Sequence, residues 1–256
     1  MKPAQRPHWW QVARVVLFCW AAGVAGAGSA AAERIRIGAE DDWRPYSYVV
    51  EGKPVGFAVD LARAAWAAAG IELELVPLPY ARCMKEVDNG TLAGCFDTLR
   101  DARTEARYLW HKRPLFKARI AIYGRSNAPD TRPVDAAGLL GFRIGVTNGY
   151  DYGEAFDNDA RMQRDVAPSD LISLRKLVAG RVDYALVFDR VAQQIASVHP
   201  ELAKGFTQRG VLVEPLLYIS FTKRMPGLEA LIARFDAGLE RVRQSGEYAR
   251  IEARWK

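Results

Sequence analysis

Histidine and cysteine are scarce in this chain, three of each among 256 residues. His8, His111 and His199 stand far apart, and no Cys-His cluster has the spacing of a zinc site. No phosphate-binding glycine loop and no readable nucleophile–base pair is present, so phosphoryl transfer and hydrolase chemistry have no foothold. Runs of like charge are also missing. The net charge of +6 comes from basic residues scattered among acids, which excludes the basic footprint of a nucleic-acid or membrane-surface protein. No Pro- or Gly-rich linker divides the chain. His111 and His199 fall in segments that read as surface.

Half of the residues are hydrophobic, enough for one or two packed domains. The first 32 residues read as a secretory signal peptide. Lys2, Arg6 and Arg14 form a basic front, an apolar stretch runs from Val15 to Ala22, and Ala30-Ala31-Ala32 offers a small-residue cleavage site before Glu33. The apolar stretch is short for a membrane span and fades into Gly and Ala. Phe18 before Cys19 argues against lipidation there. Removing residues 1–32, which hold three basic residues and no acid, lowers the net charge from +6 to +3. Cys83 and Cys95 then remain. Export to an oxidising compartment, with Cys83 near a helix start and Cys95 on the next strand, predicts a disulfide between them.

The rest of the chain alternates strand and helix. Strands are expected at 35–38, 71–76, 92–96, 119–123, 142–146 and 182–188, and helices at 57–69, 82–89 and 169–179. Gly70, Gly90 and Gly180 are the helix stop signals. Leu228, Leu231, Ile232, Phe235, Leu239 and Val242 mark one face of a long final helix. The alternation predicts an α/β fold with largely parallel sheets covered by helices. The stretch 84–93 is echoed by 174–183, each a helix, a glycine and then a strand. The echo predicts two lobes of like architecture, joined by two hinge strands at 120–123 and 217–221.

Trp43-Arg44-Pro45-Tyr46, Gly56-Phe57-Ala58-Val59-Asp60-Leu61, Asn89-Gly90, Gly145-Val146-Thr147-Asn148-Gly149, Gly180-Arg181-Val182-Asp183 and Gly246…Ile251…Trp255 follow one another over residues 34–255. In this order and spacing they resemble family 3 of the bacterial extracellular solute-binding proteins. Pro79-Tyr80-Ala81-Arg82-Cys83 marks a divergent branch. The resemblance implies a two-lobed, type II periplasmic binding fold. Residues 33–120 and 218–256 would form the first lobe and 121–217 the second. Trp43 would stack on a ligand, with Tyr46 beside it. Thr98 and Arg103 would hold a carboxylate, Arg100 and Arg107 being the alternative arginines. Gly149 would belong to an anion-binding turn, although Tyr150 and Asp151 follow it where the family has Thr or Ser. Asp189 would accept an ammonium, and Glu40 and Arg82 are further first-lobe candidates.

The expected function is therefore capture of a small polar ligand, an amino acid or related organic acid, for the membrane permease of an ABC importer. A periplasmic monomer without cofactor or metal is expected. A dehydratase of the cyclohexadienyl type on the same fold, needing an acidic proton donor such as Glu40, Asp151 or Asp189, is the enzymatic alternative. A sensory or interaction module is the third.

Overall fold

The computed structural model describes Met1 and residues 33–255. The expected signal segment, apart from Met1, lies outside the described residues. In the first lobe the strand Arg34–Glu40 is central. It pairs in parallel with Glu72–Leu78 on one side and Gly94–Leu99 on the other. Parallel neighbours need a crossover, and the helices Phe57–Ala68 and Tyr80–Asn89 provide it. Gly90 ends the second of these in the left-handed conformation, with φ at 77°. The long helix Leu228–Gln244 lies against Phe57–Ala68 and buries Ile232, Phe235 and Leu239. Gly238 makes that contact possible, because a Cβ there would stand 2.2 Å from the carbonyl oxygen of Ala65.

In the second lobe Arg143–Thr147 pairs in parallel with Gln163–Ala167 and with Tyr184–Phe188. The helix Asp170–Val178 makes the crossover, and the Ser169 hydroxyl caps it by accepting the Ile172 N–H at 3.5 Å. Both sheets are mixed rather than mostly parallel, which corrects the expectation from strand–helix alternation. The reason is the route of the chain. Ile120–Arg125 arrives from the first lobe and Leu216–Phe221 from the second, neither after a helical crossover. Each lies antiparallel to the last parallel strand of its sheet, Tyr184–Phe188 and Gly94–Leu99 respectively. The strand Phe206–Val213 adds an antiparallel edge to the second sheet.

The lobes exchange chain between Phe116–Lys117 and Ile120–Arg125, and again between Phe206–Val213 and Leu216–Phe221. The stretches 120–123 and 217–221 thus lie inside the two sheets, and the crossings are the few residues before them. Glu214 clamps both crossings, pairing with Lys117 and, at 2.9 Å, with Arg119.

Cys83 on the helix Tyr80–Asn89 and Cys95 on the strand Gly94–Leu99 form the expected disulfide. The central strand passes beneath it at Gly38, where a Cβ would fall 2.2 Å from the Cys83 sulfur. His111 departs from its surface reading and is fully buried. Its Nε2 accepts the Ile219 backbone N–H at 2.9 Å, and its ring lies among Tyr218, Phe221 and Phe235. Burial lowers its pKa to about 3, so the ring is neutral at physiological pH. No helix among the described residues is long and apolar enough to cross a membrane.

Candidate functional site

A cleft opens where the carboxyl ends of strands from both sheets face each other, the usual ligand position of open α/β sheets. The first lobe contributes Glu40 at the end of its central strand, Trp43, Tyr80, and Asp97 and Leu99 from the strand Gly94–Leu99. The second lobe contributes Tyr150, Asp151 and Phe188. The lobes meet here, and the cavity left between these groups is only about 10 Å³.

Its walls are aromatic. Trp43 stacks on Tyr46 at 4.3 Å between ring centres and meets Phe188 edge-on at 4.9 Å. Tyr80 meets Tyr150 edge-on at 5.5 Å. Both pairs that cross the cleft, Trp43–Phe188 and Tyr80–Tyr150, join one lobe to the other.

Its polar groups are acidic. Glu40 is buried and accepts a hydrogen bond from the Tyr150 hydroxyl. Burial pushes its carboxyl well above the usual range, against the opposing pull of Tyr150, and the nearby Asp170 and Asp97 push the same way. Asp97 is 7% exposed, and neither of its carboxylate oxygens has a hydrogen-bond partner. Burial raises its pKa strongly. Its backbone φ is 62°, a left-handed conformation inside a strand that few residues other than glycine, Asn and Asp tolerate. Asp151 is likewise raised by burial, with Arg103 pulling it down.

Arg103 sits at the rim and reaches across to the second lobe. Its guanidinium donates to Asp151 at 2.5 Å and to Asp157 at 3.2 Å, as well as to Asp101 of its own lobe at 3.4 Å. Burial alone would lower its pKa, but Asp151, Asp157 and Asp101 outweigh that and hold it above the ordinary value. The register around it is fixed by a capping box between Asp101 and Thr104, and Thr104 turns inward to donate to the Leu99 carbonyl at 2.8 Å. Arg100 pairs instead with Glu105 and Arg107 with Asp88, both within the first lobe. A further bridge runs from the Ala102 N–H to Glu154 at 2.7 Å.

The other sequence candidates are placed differently. Glu40, Trp43 and Tyr150 come together in the cleft. Thr98 is buried beneath it, 2.9 Å from the Ser220 hydroxyl and 3.7 Å from the Met84 sulfur. Tyr46 backs Trp43 and, with Asp189, borders a second hollow at the crossings that includes Arg119, Arg190 and Glu214. There Asp189 faces Arg119 at 3.8 Å. Arg82 is exposed and does not line the cleft. Sequence reasoning missed Tyr80, Asp97, Leu99 and Phe188. Tyr80 was findable, because Pro79 starts a helix just beyond the strand Glu72–Leu78 and so puts its first residue at the carboxyl edge. Asp97 carried no local signal, since its backbone departs from strand geometry only in the folded chain.

Comparisons with known proteins agree with this architecture. A histidine kinase sensor domain with similarity to periplasmic binding proteins superposes with a TM-score of 0.77 at 21% identity, covering 88% of this chain and 96% of that one. The arginine-, lysine-, histidine-binding protein ArtJ from Geobacillus stearothermophilus gives 0.74 at 23% identity, covering 87% and 95%. An ancestral arginine-binding protein bound to arginine gives 0.74 at 23%, covering 87% and 97%. These likenesses establish the two-lobed fold. No curated protein sequence matches. Residues 35–256 match a family of their own accord, from the central strand of the first lobe to the last helix, and the chain belongs to the bacterial extracellular solute-binding proteins, family 3.

Proposed function

We propose that this chain is a periplasmic receptor that captures a small polar solute by closing its lobes and presents it to the membrane permease of an ABC importer. The observation that carries this reading is a cleft built from both lobes at once, with Glu40, Trp43 and Tyr80 on one side and Tyr150, Asp151 and Phe188 on the other. A solute there would touch both sides only when the lobes meet, so its binding energy would favour closure. The arginine-binding proteins of like fold favour a solute of amino-acid size, in keeping with the amino acid or organic acid expected from sequence.

Mass spectrometry of the material released from purified protein, followed by a melting screen and small-angle scattering, tests the reading. A solute that raises the melting temperature and reduces the radius of gyration is expected. Binding without any change of shape would oppose the lobe-closure mechanism. A sensory role is the second reading, supported by the likeness to a kinase sensor domain. Stimulation of a reconstituted importer's ATP hydrolysis by the loaded protein would favour transport. Incubation with prephenate and arogenate is expected to give no product, and turnover would favour the dehydratase alternative. Export with cleavage before Glu33 is expected to leave a soluble monomer, which N-terminal sequencing and sedimentation check.

A further inference from the structure

The geometry points to a hydrogen-bonding organic cation without a carboxylate, an alkylamine or alkylguanidine, as the solute of this cleft. The inference rests on the reading of the cleft as the solute site. Three carboxylates, Glu40, Asp97 and Asp151, line it, and none of its lining residues is a lysine or arginine. The arginine that would meet a ligand carboxylate, Arg103, is already shared among Asp151, Asp157 and Asp101. A carboxylate entering here would have to strip that arginine from its partners and then face three acids.

Asp97 gives the inference its direction. A buried carboxylate whose two oxygens both lack a partner is costly to fold. The left-handed backbone at this position adds to that cost. A group that lowers stability on both counts while bordering a cleft has the character of a binding group waiting for donors. Ammonium and guanidinium supply several N–H donors to such an acceptor. A quaternary ammonium supplies none and would leave the Asp97 oxygens unanswered. Trp43 and Tyr80 line the same cleft, and aromatic rings are compatible with a cationic ligand.

Matched pairs decide the matter. Calorimetry on the mature protein uses cadaverine against lysine, putrescine against ornithine, and agmatine against arginine, with choline as the donor-free cation. At least one decarboxylated compound should bind about tenfold or more tightly than its amino acid, and choline should bind weakly. Asp97→Asn, which keeps the left-handed backbone accessible, should lower that affinity about thirtyfold or more, the scale for removing one partner of a buried charge pair. The same variant without ligand should melt no lower than the parent, so loss of binding would not reflect misfolding. If the amino acids, or organic acids, bind more tightly than the amines, the inference fails while the receptor reading stands. If an amine binds equally well to Asp97→Asn, the inference also fails. If neither amines, amino acids nor organic acids bind, both fall together.

Discussion

Removing the Arg103 guanidinium should open the empty protein. Arg103 makes two ion pairs across the cleft, to Asp151 and Asp157, and both exist only while the lobes touch. Its side chain is 43% exposed, so each pair is screened and contributes about 0.5–1 kcal/mol. Together they favour the closed arrangement by about 1–2 kcal/mol, a five- to thirtyfold shift in the ratio of closed to open. Arg103→Gln removes both and leaves Asp101 facing Asp151 and Asp157 without a mediating cation. The shift can be read by fluorescence transfer between dyes placed one on each lobe, or from the radius of gyration, in the absence of solute. Raising the salt concentration should move the parent the same way, because a Debye length of about 3 Å at 1 M shortens the reach of an exposed pair. Arg107→Gln, which removes a pair to Asp88 inside the first lobe, should leave the ratio unchanged. The reasoning is refuted if Arg103→Gln and Arg107→Gln behave alike, or if salt has no effect on the parent.

Thiol titration of unfolded, unreduced protein should find no free thiol at Cys83 or Cys95, and replacing both with Ala should cost about 3 kcal/mol by denaturant unfolding. Gly38→Ala should be poorly tolerated, with about 1–3 kcal/mol lost or free thiols detected, since the new methyl occupies the place of the Cys83 sulfur. Asp170 is raised by burial to about 7 from its ordinary 3.8, so the folded protein retains a proton that the unfolded chain gives up. Its contribution to stability is therefore present in acid and is lost as pH climbs from about 4 to 7. His111, lowered to about 3, acts oppositely, since the unfolded chain takes up a proton that the folded one refuses as pH falls below about 6.5. Asp170→Asn removes the first effect alone, and its melting temperature should rise more steeply between pH 4.5 and 7 than the parent's. An equal slope in calorimetric scans would contradict that assignment.

Elements whose cause is local were legible in the sequence. The helices ending at Gly90 and Gly180 follow from apolar spacing and from glycines that take positive φ at the stop. The cap at Ser169 follows from a hydroxyl before a helical run. The small sheet of Asp42–Trp43, Ser47–Val50 and Lys53–Val55 escaped notice because strands of two to four residues are too short to show a period. The same divide runs through the site. Glu40 and Trp43 follow directly from the end of a readable strand. Thr98 occupies the expected position in the chain, but successive strand residues face opposite ways, and its hydroxyl turns down toward Ser220 while Asp97 lines the cleft. His111 meets Ile219 across 108 residues of chain, a partnership that no window of sequence contains.

The ion-pair cluster at Arg103 has a consequence for traffic at the membrane. Under the proposed importer role, a permease would admit its receptor by shape, and here the closed shape is held in part by the chain's own charges. Molecules carrying nothing would then queue with loaded ones, and the two would compete for the same docking face. The strength of one rim arginine thus bears on how faithfully arrival at the permease reports cargo. A weaker latch would yield fewer idle visits, at the expense of a faster loss of cargo once it has been seized.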